Sequence, residues 1–233
     1  MQIKELLTEN KIYGVVGNSG SGKTSFINEI ELNKDIGIVD YGKIECNLVS
    51  DQIEYYDRLF NYKIKELEPR KNEIIKMLEI SERLLNCSVY EISDSELTKV
   101  LLGSILLYNP EIIIIDEMLN TLDYKNKVKI MKLLIKLKKF FNKKIVIVDS
   151  NIDDIYEFID DVIIIDSGKV LLYGNKYKVY DNIDLLEEKN IRIPNIITFI
   201  YKMKERGINI DNVDNINELI KSIYREMRWL FEI

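Results

Sequence analysis

Eight residues near the N-terminus, Gly17-Asn18-Ser19-Gly20-Ser21-Gly22-Lys23-Thr24, constrain this chain more than any other feature. They fit G-x-x-x-x-G-K-[ST] in full, and they lie between an apolar run, Ile12–Val16, and a segment of helical pattern, residues 24–30. The residue types explain themselves chemically. Gly17, Gly20 and Gly22 have no Cβ, so backbone N–H groups can curl around phosphate oxygens. The helix that follows adds the positive end of its dipole. Lys23 supplies a point charge to the β- and γ-phosphates of a nucleotide, and Thr24 offers a hydroxyl to Mg²⁺. A glycine-rich turn with a chance lysine is the bland alternative, and it leaves the strand before and the helix after unexplained.

A second pattern lies downstream. Ile112-Ile113-Ile114-Ile115 is a buried-strand run, and it delivers Asp116 and Glu117 at its C-terminal end, where open α/β sheets place their ligands. Asp116 is the candidate to hold Mg²⁺, directly or through water. Glu117 is the candidate catalytic residue, orienting or deprotonating an attacking water. An acidic strand end at the surface would look similar in isolation; downstream of a phosphate-binding loop the functional reading gains weight. The N-K-x-D sequence of guanine recognition is absent.

Composition closes other routes. The 233 residues contain no histidine, which removes histidine acid–base chemistry, triads and most zinc sites. Cys46 and Cys87 are isolated and read as reduced packing residues. Net charge is −6, which speaks against a general nucleic-acid binder. The N-terminus is too polar for a signal peptide, and no apolar run approaches the roughly 20 residues a membrane span needs. The expectation is a soluble chain whose membrane role comes through a partner.

Apolar runs at 12–16, 112–115, 145–148 and 162–166 alternate with helical patterns, which predicts a parallel sheet covered on both faces. Helices are expected over 124–141 and 153–159. Residues 162–166, Ser167-Gly168 and 170–173 read as a hairpin. Residues 42–110 lack such strands and read as a helical insertion, with helices over 71–85 and 96–107, the second opened by the capping box Ser93-x-x-Glu96. From about 176 the chain reads as a separate appendage. A helix is expected over 196–206, ending at Gly207. Asn215 caps another over 216–229, with Ile216, Leu219, Ile220, Ile223 and Met227 on one face.

Taken together, these motifs resemble the ATP-binding cassette (ABC) ATPases over nearly the whole chain. The resemblance implies an α/β P-loop NTPase core over 1–175, with a trimmed helical subdomain at about 42–110, and a C-terminal helical region over 176–233. It matches Glu91-Ile92-Ser93-Asp94-Ser95-Glu96 to the family signature, Leu119-Asn120-Thr121-Leu122-Asp123 to the D-loop, and residues 145–174 to the switch strand, helix and closing hairpin. Ile191-Arg192-Ile193-Pro194 and Asn215-Ile216-Asn217-Glu218-Leu219 resemble the C-terminal region of energy-coupling factor (ECF) and cobalt-type importer ATPases. What the resemblance implies is ATP and Mg²⁺ as cofactors, with nucleotide held by Gly17 through Thr24 and on to Ser25, and the metal by Thr24 and Asp116. It also implies an ABC ATPase partner in a homo- or heterodimer, an integral-membrane transporter subunit, no nucleic acid, and a peripheral position at the cytoplasmic face of the membrane.

The departures are equally specific. Asp94 and Ser95 replace both signature glycines, which in the family approach the γ-phosphate of the opposite subunit's nucleotide. A side chain there crowds that approach, and Asp94 adds like-charge repulsion. Ser150 stands at the switch position, His in most of the family. The Q-loop position falls on Tyr41, with Gln52 the next glutamine. Met118 replaces a usual Pro. Only 16 residues precede Gly17, so the family's first strand and its base-stacking aromatic have no counterpart. The expected function is therefore an ATP-binding subunit of an ECF-like importer with reduced hydrolysis alone. The alternatives are a largely non-hydrolysing regulatory partner and a non-transport ABC ATPase.

Overall fold

The computed structural model describes residues 3–28, 32–60 and 67–231; of the helix expected over 24–30, residues 29 and 30 lie outside that set. The chain divides into two compact units, one made of Met1–Ile12 and Thr24–Val148, the other of Tyr13–Lys23 and Asp149–Ile233.

The first unit opens with a short helix α1 (Ile3–Leu6) and, after strand β1 (Ile12–Val16), continues through helix α2 (Lys23–Asn28) to strand β2 (Ile36–Val39). Helices α3 (Val49–Phe60), α4 (Leu67–Met77) and α5 (Asp94–Tyr108) follow, then strand β3 (Ile112–Asp116), helix α6 (Tyr124–Phe141) and strand β4 (Lys144–Asp149). Strands β2, β3 and β4 are parallel neighbours in that order, with Gly37 opposite Ile113 and Ile113 opposite Ile145. Ile112 through Ile115 are all buried, as expected of a β-branched run in a parallel sheet with no wet face. Helix α5 is apolar around its circumference and buries eleven of its residues, which marks it as the centre of the helical layer.

Packing against β2 is tight. Tyr108 of α5 donates its hydroxyl to the Ile36 carbonyl at 2.9 Å, and its ring lies 6.1 Å from Tyr56 and 5.2 Å from Phe60 of α3. Between α3 and α4 an ionic group is folded inward: Lys71 pairs with Glu54, Glu54 with Arg58, and Arg70 reaches Asp57 at 3.6 Å. Burial disfavours the Lys71 ammonium, but the hydrogen bond and charge of Glu54 outweigh it, and its pKa stands above the ordinary value.

In the second unit β1 runs parallel to strand β5 (Asp161–Asp166), with Tyr13 opposite Asp161 and Val16 opposite Ile164. Strand β5 turns into the antiparallel β6 (Lys169–Asn175) through Ser167 and Gly168, at φ 51° and 74°. Both values are left-handed, the geometry of a tight hairpin turn. Helices α7 (Lys176–Tyr180), α8 (Ile183–Glu188), α9 (Asn195–Glu205) and α10 (Ile216–Phe231) complete it. Ile200, Ile210, Val213 and Leu219 form a small core under α9 and α10. Lys176 is 4% exposed, bonded to the Tyr156 carbonyl at 3.1 Å and to Asp214 at 2.6 Å, and ties this core to the hairpin.

Several sequence expectations hold. Helix α6 spans 124–141, the capping box at Ser93 and Glu96 is formed, and Asn215 accepts from the Glu218 N–H at 3.1 Å. Three need correction. The helix expected over 71–85 is α4 plus a separate 3₁₀ turn, Glu82–Asn86, because Glu79 sits at φ 52° and breaks the ladder. The helix expected over 153–159 is a turn with three 3₁₀ residues, Tyr156–Phe158. Strand β2, only four residues long and interrupted by Gly37, is not among the expected strands, and none of α1, α3, α7 and α8 is among the expected helices. The Met227 side chain lies outside the described residues.

Gly37 is where β2 and α5 approach. A Cβ there would lie 2.3 Å from Ile105 Cγ2, 2.8 Å from the Tyr108 hydroxyl and 2.9 Å from Pro110 Cγ. Gly37→Ala is expected to cost about 1–3 kcal/mol of overpacking and to lower Tm by roughly 3–10 °C in a thermal melt.

Candidate phosphate-binding loop and carboxylate pair

β1 ends at Val16, and the chain turns at once through residues 17–23. Only glycine fits at the first position: a Cβ on Gly17 would lie 2.3 Å from the Ile165 carbonyl oxygen and 2.5 Å from Ser21 Oγ. Gly20 and Gly22 hold φ of 76° and 92°, the left-handed region. The loop is pinned to the hairpin turn, since the Gly168 N–H donates to the Ser21 carbonyl at 2.7 Å. Lys23 folds back into its own loop. Its Nζ donates to the carbonyls of Gly17 at 2.9 Å and Asn18 at 3.0 Å, and the residue is 4% exposed. Ser21 Oγ is buried without a hydrogen-bond partner among the described residues. Ser19, Gly20, Thr24 and Ser25 are exposed. A buried ammonium, an unsatisfied hydroxyl and glycine backbone in a closed turn fit a phosphate group.

This loop also touches the tail. Asn18 Nδ2 donates to the Lys189 carbonyl at 3.1 Å, and Lys189 lies 3.7 Å from Asp166. The segment after β4 is tied to the same stretch: Asp153 accepts from Arg192 at 3.0 Å, from the Asn195 N–H at 2.7 Å and from Asn195 Nδ2 at 3.0 Å. In the sequence Arg192 stands out only as part of the tail motif Ile191–Pro194. Its carboxylate partner sits 39 positions earlier, a separation no local pattern signals.

The other candidate group ends β3. Asp116 is buried, and Glu117 is exposed at φ 54° with its N–H donating to the Val148 carbonyl at 3.0 Å. Left-handed backbone at a glutamate costs on the order of 1–2 kcal/mol and persists only where surroundings impose it. Met118 and Leu119 are buried beyond it, and Thr121 bonds Thr98 of α5 at 2.8 Å. Asp123 caps α6, accepting the Asn126 N–H at 2.7 Å, and that bond holds its carboxyl below the usual range.

The start of α5 is closed by its own side chains. Ser93 Oγ accepts from the Glu96 N–H, and Glu96 Oε2 accepts from the Ser93 N–H at 2.9 Å and its hydroxyl at 2.8 Å. These bonds hold the Glu96 carboxyl below its ordinary pKa. Asp94 and Glu96 thus place two acidic groups on a helix terminus that would otherwise attract an anion. Tyr41 follows β2 and is 40% exposed; burial, then the charge of Asp94, pushes its phenol up, while Thr121 works the other way. Gln52 is fully buried and spent on backbone, accepting from Glu45 and Cys46 N–H at 2.8 and 3.0 Å. Ser150, half-buried, follows β4 directly.

No family model matches the chain. Among curated proteins it is 24% identical over 255 residues to the energy-coupling factor transporter ATP-binding protein EcfA2 of Mycoplasma capricolum, covering 94% of this chain and 88% of that one. It is 29% identical over 166 residues to EcfA2 of Streptococcus agalactiae, covering 70% of this chain and 59% of that protein's length. The chain resembles the ABC transporter ATP-binding subunits, and among them the energy-coupling factor ATPases. Solved structures agree on the fold. A dimeric bacterial ABC transporter cassette matches with TM-score 0.64 and 25% identity over 72% of this chain and 86% of that chain. The cbiO1 protein of Clostridium perfringens, part of the transporter complex cbiONQ, matches with TM-score 0.61 and 23% identity over 83% of this chain and 88% of that chain. The α/β architecture is that of an ABC-type P-loop NTPase.

The two left-handed glycines of the loop are not equivalent. A Cβ on Gly20 meets nothing within 4 Å, whereas one on Gly22 would lie 2.9 Å from Gly168 Cα. Gly20→Ala should cost only the backbone strain of about 1–2 kcal/mol. Gly22→Ala should add a clash with backbone that cannot rotate away, roughly 1–3 kcal/mol more. Thermal melts of the two variants without nucleotide check the order.

Proposed function

We propose that this chain is the ATP-binding subunit of an ABC/ECF-like membrane transporter and drives a membrane partner through ATP-dependent closure of a dimer. The observation that carries the reading is the closed loop around Lys23 Nζ, a preformed cation site between the Gly17 and Asn18 carbonyls. On phosphate binding the ammonium exchanges these neutral acceptors for charged ones, which strengthens each hydrogen bond. Gly17 through Thr24, with Ser25, hold the nucleotide. Thr24 and Asp116 hold Mg²⁺, which when bound neutralises charge on the β- and γ-phosphates. Glu117 orients the attacking water and accepts its proton. Residues 1–175 form the nucleotide-binding domain, with its helical subdomain at about 42–110, and 176–233 the C-terminal helical region.

The partners that complete such a site are an ABC ATPase subunit and an integral-membrane transporter subunit, with the chain held at the inner face of the membrane. Among the described residues, no helix is long and apolar enough to cross it. A heterodimer suits this chain better than a homodimer. It keeps the groups that hold its own nucleotide, Lys23, Thr24, Asp116 and Glu117. What it has lost is the glycine pair offered across the interface to a partner's nucleotide.

One observation favours the second reading, a subunit that binds ATP for closure and hydrolyses it poorly. The N-terminus of α5 already bears Asp94 and the Ser93–Glu96 box. A γ-phosphate approaching it meets carboxylate in place of bare N–H groups. Loss of one such transition-state contact costs on the order of 2–4 kcal/mol, or roughly 10²–10³ in rate.

Two measurements test the proposal. Lys23→Ala should abolish Mg·ATP binding in calorimetry, because it removes the cation facing the β/γ-phosphates; unchanged affinity refutes the nucleotide assignment. The unaltered chain alone should turn over ATP slowly, and Asp94→Gly combined with Ser95→Gly should raise the rate about tenfold or more despite costing helix propensity. A rate unchanged by the double substitution would refute any role of the α5 terminus in slowing hydrolysis.

A further inference from the structure

Between Tyr124 and Val148 the chain carries nine lysines and no carboxylate, so a protein of net charge −6 is +9 in this stretch and −15 elsewhere. Helix α6 sorts these lysines. Lys127 and Lys143 are buried, and Lys143 Nζ is spent on the carbonyls of Asn109 and Pro110 at 3.0 and 2.6 Å. Lys144 pairs with Glu111 at 3.0 Å. Lys125, Lys129, Lys132, Lys136 and Lys139 are exposed. Their spacing of four, three, four and three positions puts them in one line down the outer face, about 21 Å long. The inner face is apolar, with Ile130, Met131 and Leu134 buried.

An ordinary solvated helix mixes acids among its lysines, since like charges four apart repel one another. Among the described residues one carboxylate pairs directly with the ridge, Glu79, which accepts from Lys129 Nζ at 2.7 and 2.8 Å, and the charge of Asp123 faces Lys125 at its start. Lys132, Lys136 and Lys139 form no ion pair among the described residues. At the same end stand two large apolar side chains in water, Phe140 at 68% and Phe141 at 62% exposure. Lys139 Nζ lies 5.5 Å from the Phe140 ring centroid.

We infer that the outer face of α6 is a docking surface for an anionic phospholipid bilayer. A straight row of lysines meets a plane of headgroups along its whole length, and each lysine near such a surface adds to binding. Phe140, next to Lys139 and on the ridge's side of the helix, then supplies the apolar anchor at the interface that charge alone lacks; Phe141 continues the stripe of Ile130 and Leu134 on the other side. A nucleic acid fits worse. The rest of the chain repels an extended polyanion, and adjacent phenylalanines at one end of a ridge are not the interleaved stacking platform that single strands use.

The inference does not rest on the nucleotide reading, and its test uses the full chain without nucleotide. In flotation with vesicles of equal parts phosphatidylglycerol and phosphatidylcholine, the chain is expected to rise at low salt and stay down at high salt. With pure phosphatidylcholine it stays down throughout. Lys132→Gln, Lys136→Gln and Lys139→Gln together should weaken partitioning by roughly fivefold per lysine, about a hundredfold in all. Phe140→Ser should weaken it with the salt dependence intact. These positions are exposed, so a circular-dichroism melt should be unaltered; if the triple variant does not melt cooperatively, Lys136→Gln alone is read instead, expected at about fivefold. Absence of flotation with anionic vesicles, or a variant that binds as tightly as the parent, overturns the proposal. So does a mobility shift of duplex DNA or RNA at the same salt that is tighter than the vesicle binding.

Discussion

Parallel strands buried on both faces leave no place for charge except their ends, and this constraint orders the rest of the molecule. β3, β4 and β5 read as unbroken apolar runs that each stop at an aspartate, Asp116, Asp149 and Asp166, and Asp40 follows β2 directly. A carboxylate moved two residues inward would be desolvated on both sides of the sheet, at a cost of several kcal/mol. At the strand end it meets loops instead. The phosphate-binding loop obeys the same rule from β1, where the chain leaves the sheet on Gly17 because nothing larger fits beside the Ile165 carbonyl. Chemistry collects at these ends because the packing of the strands excludes it everywhere else.

The loop and carboxylates were legible in the sequence for that reason. A motif of fixed spacing between a strand run and a helix pattern is a local signal, and so is a run of four isoleucines ending in two acids. The capping box at Ser93 was legible too, since both its partners lie within four residues. Features made by distant pairs were not. Strand β2 has four residues and a glycine, too little to register as a strand alone; it is fixed by Tyr108, 72 positions away, bonding the Ile36 carbonyl. The break between α4 and the turn at Glu82 is made by a left-handed Glu79 whose carboxylate is held by Lys129, 50 positions on. The stretch at 153–159 has helical periodicity, yet Asp153 is committed to Arg192 and Asn195, and the chain there is set by those bonds rather than by its own propensity.

The α5 terminus shows how one local device can serve structure at the expense of binding. A capping box satisfies two orphan N–H groups and stabilises the helix. Acids in the first turn add favourable interaction with the dipole. Every one of those gains uses up what an anion at the terminus would need. Glycine at these positions would give a weaker helix and a better phosphate site. The chain has the stronger helix, and Thr98 reinforces it by bonding both the Asp94 carbonyl and Thr121.

The opposite choice was made at α6. Its exposed lysines repel one another at every turn, and that repulsion lowers the stability of the isolated helix. The helix forms because Ile130, Met131 and Leu134 are buried beneath it, because Asp123 caps its start, and because Lys138 and Lys139 complement the dipole at its end. Those last-turn lysines explain two of the charges. They leave Lys132 and Lys136 without an ion pair among the described residues, and they do not explain why Phe140, beside the lysine row, faces water. A face that weakens its own helix and exposes a phenylalanine beside its lysines gains when something anionic and apolar lies against it.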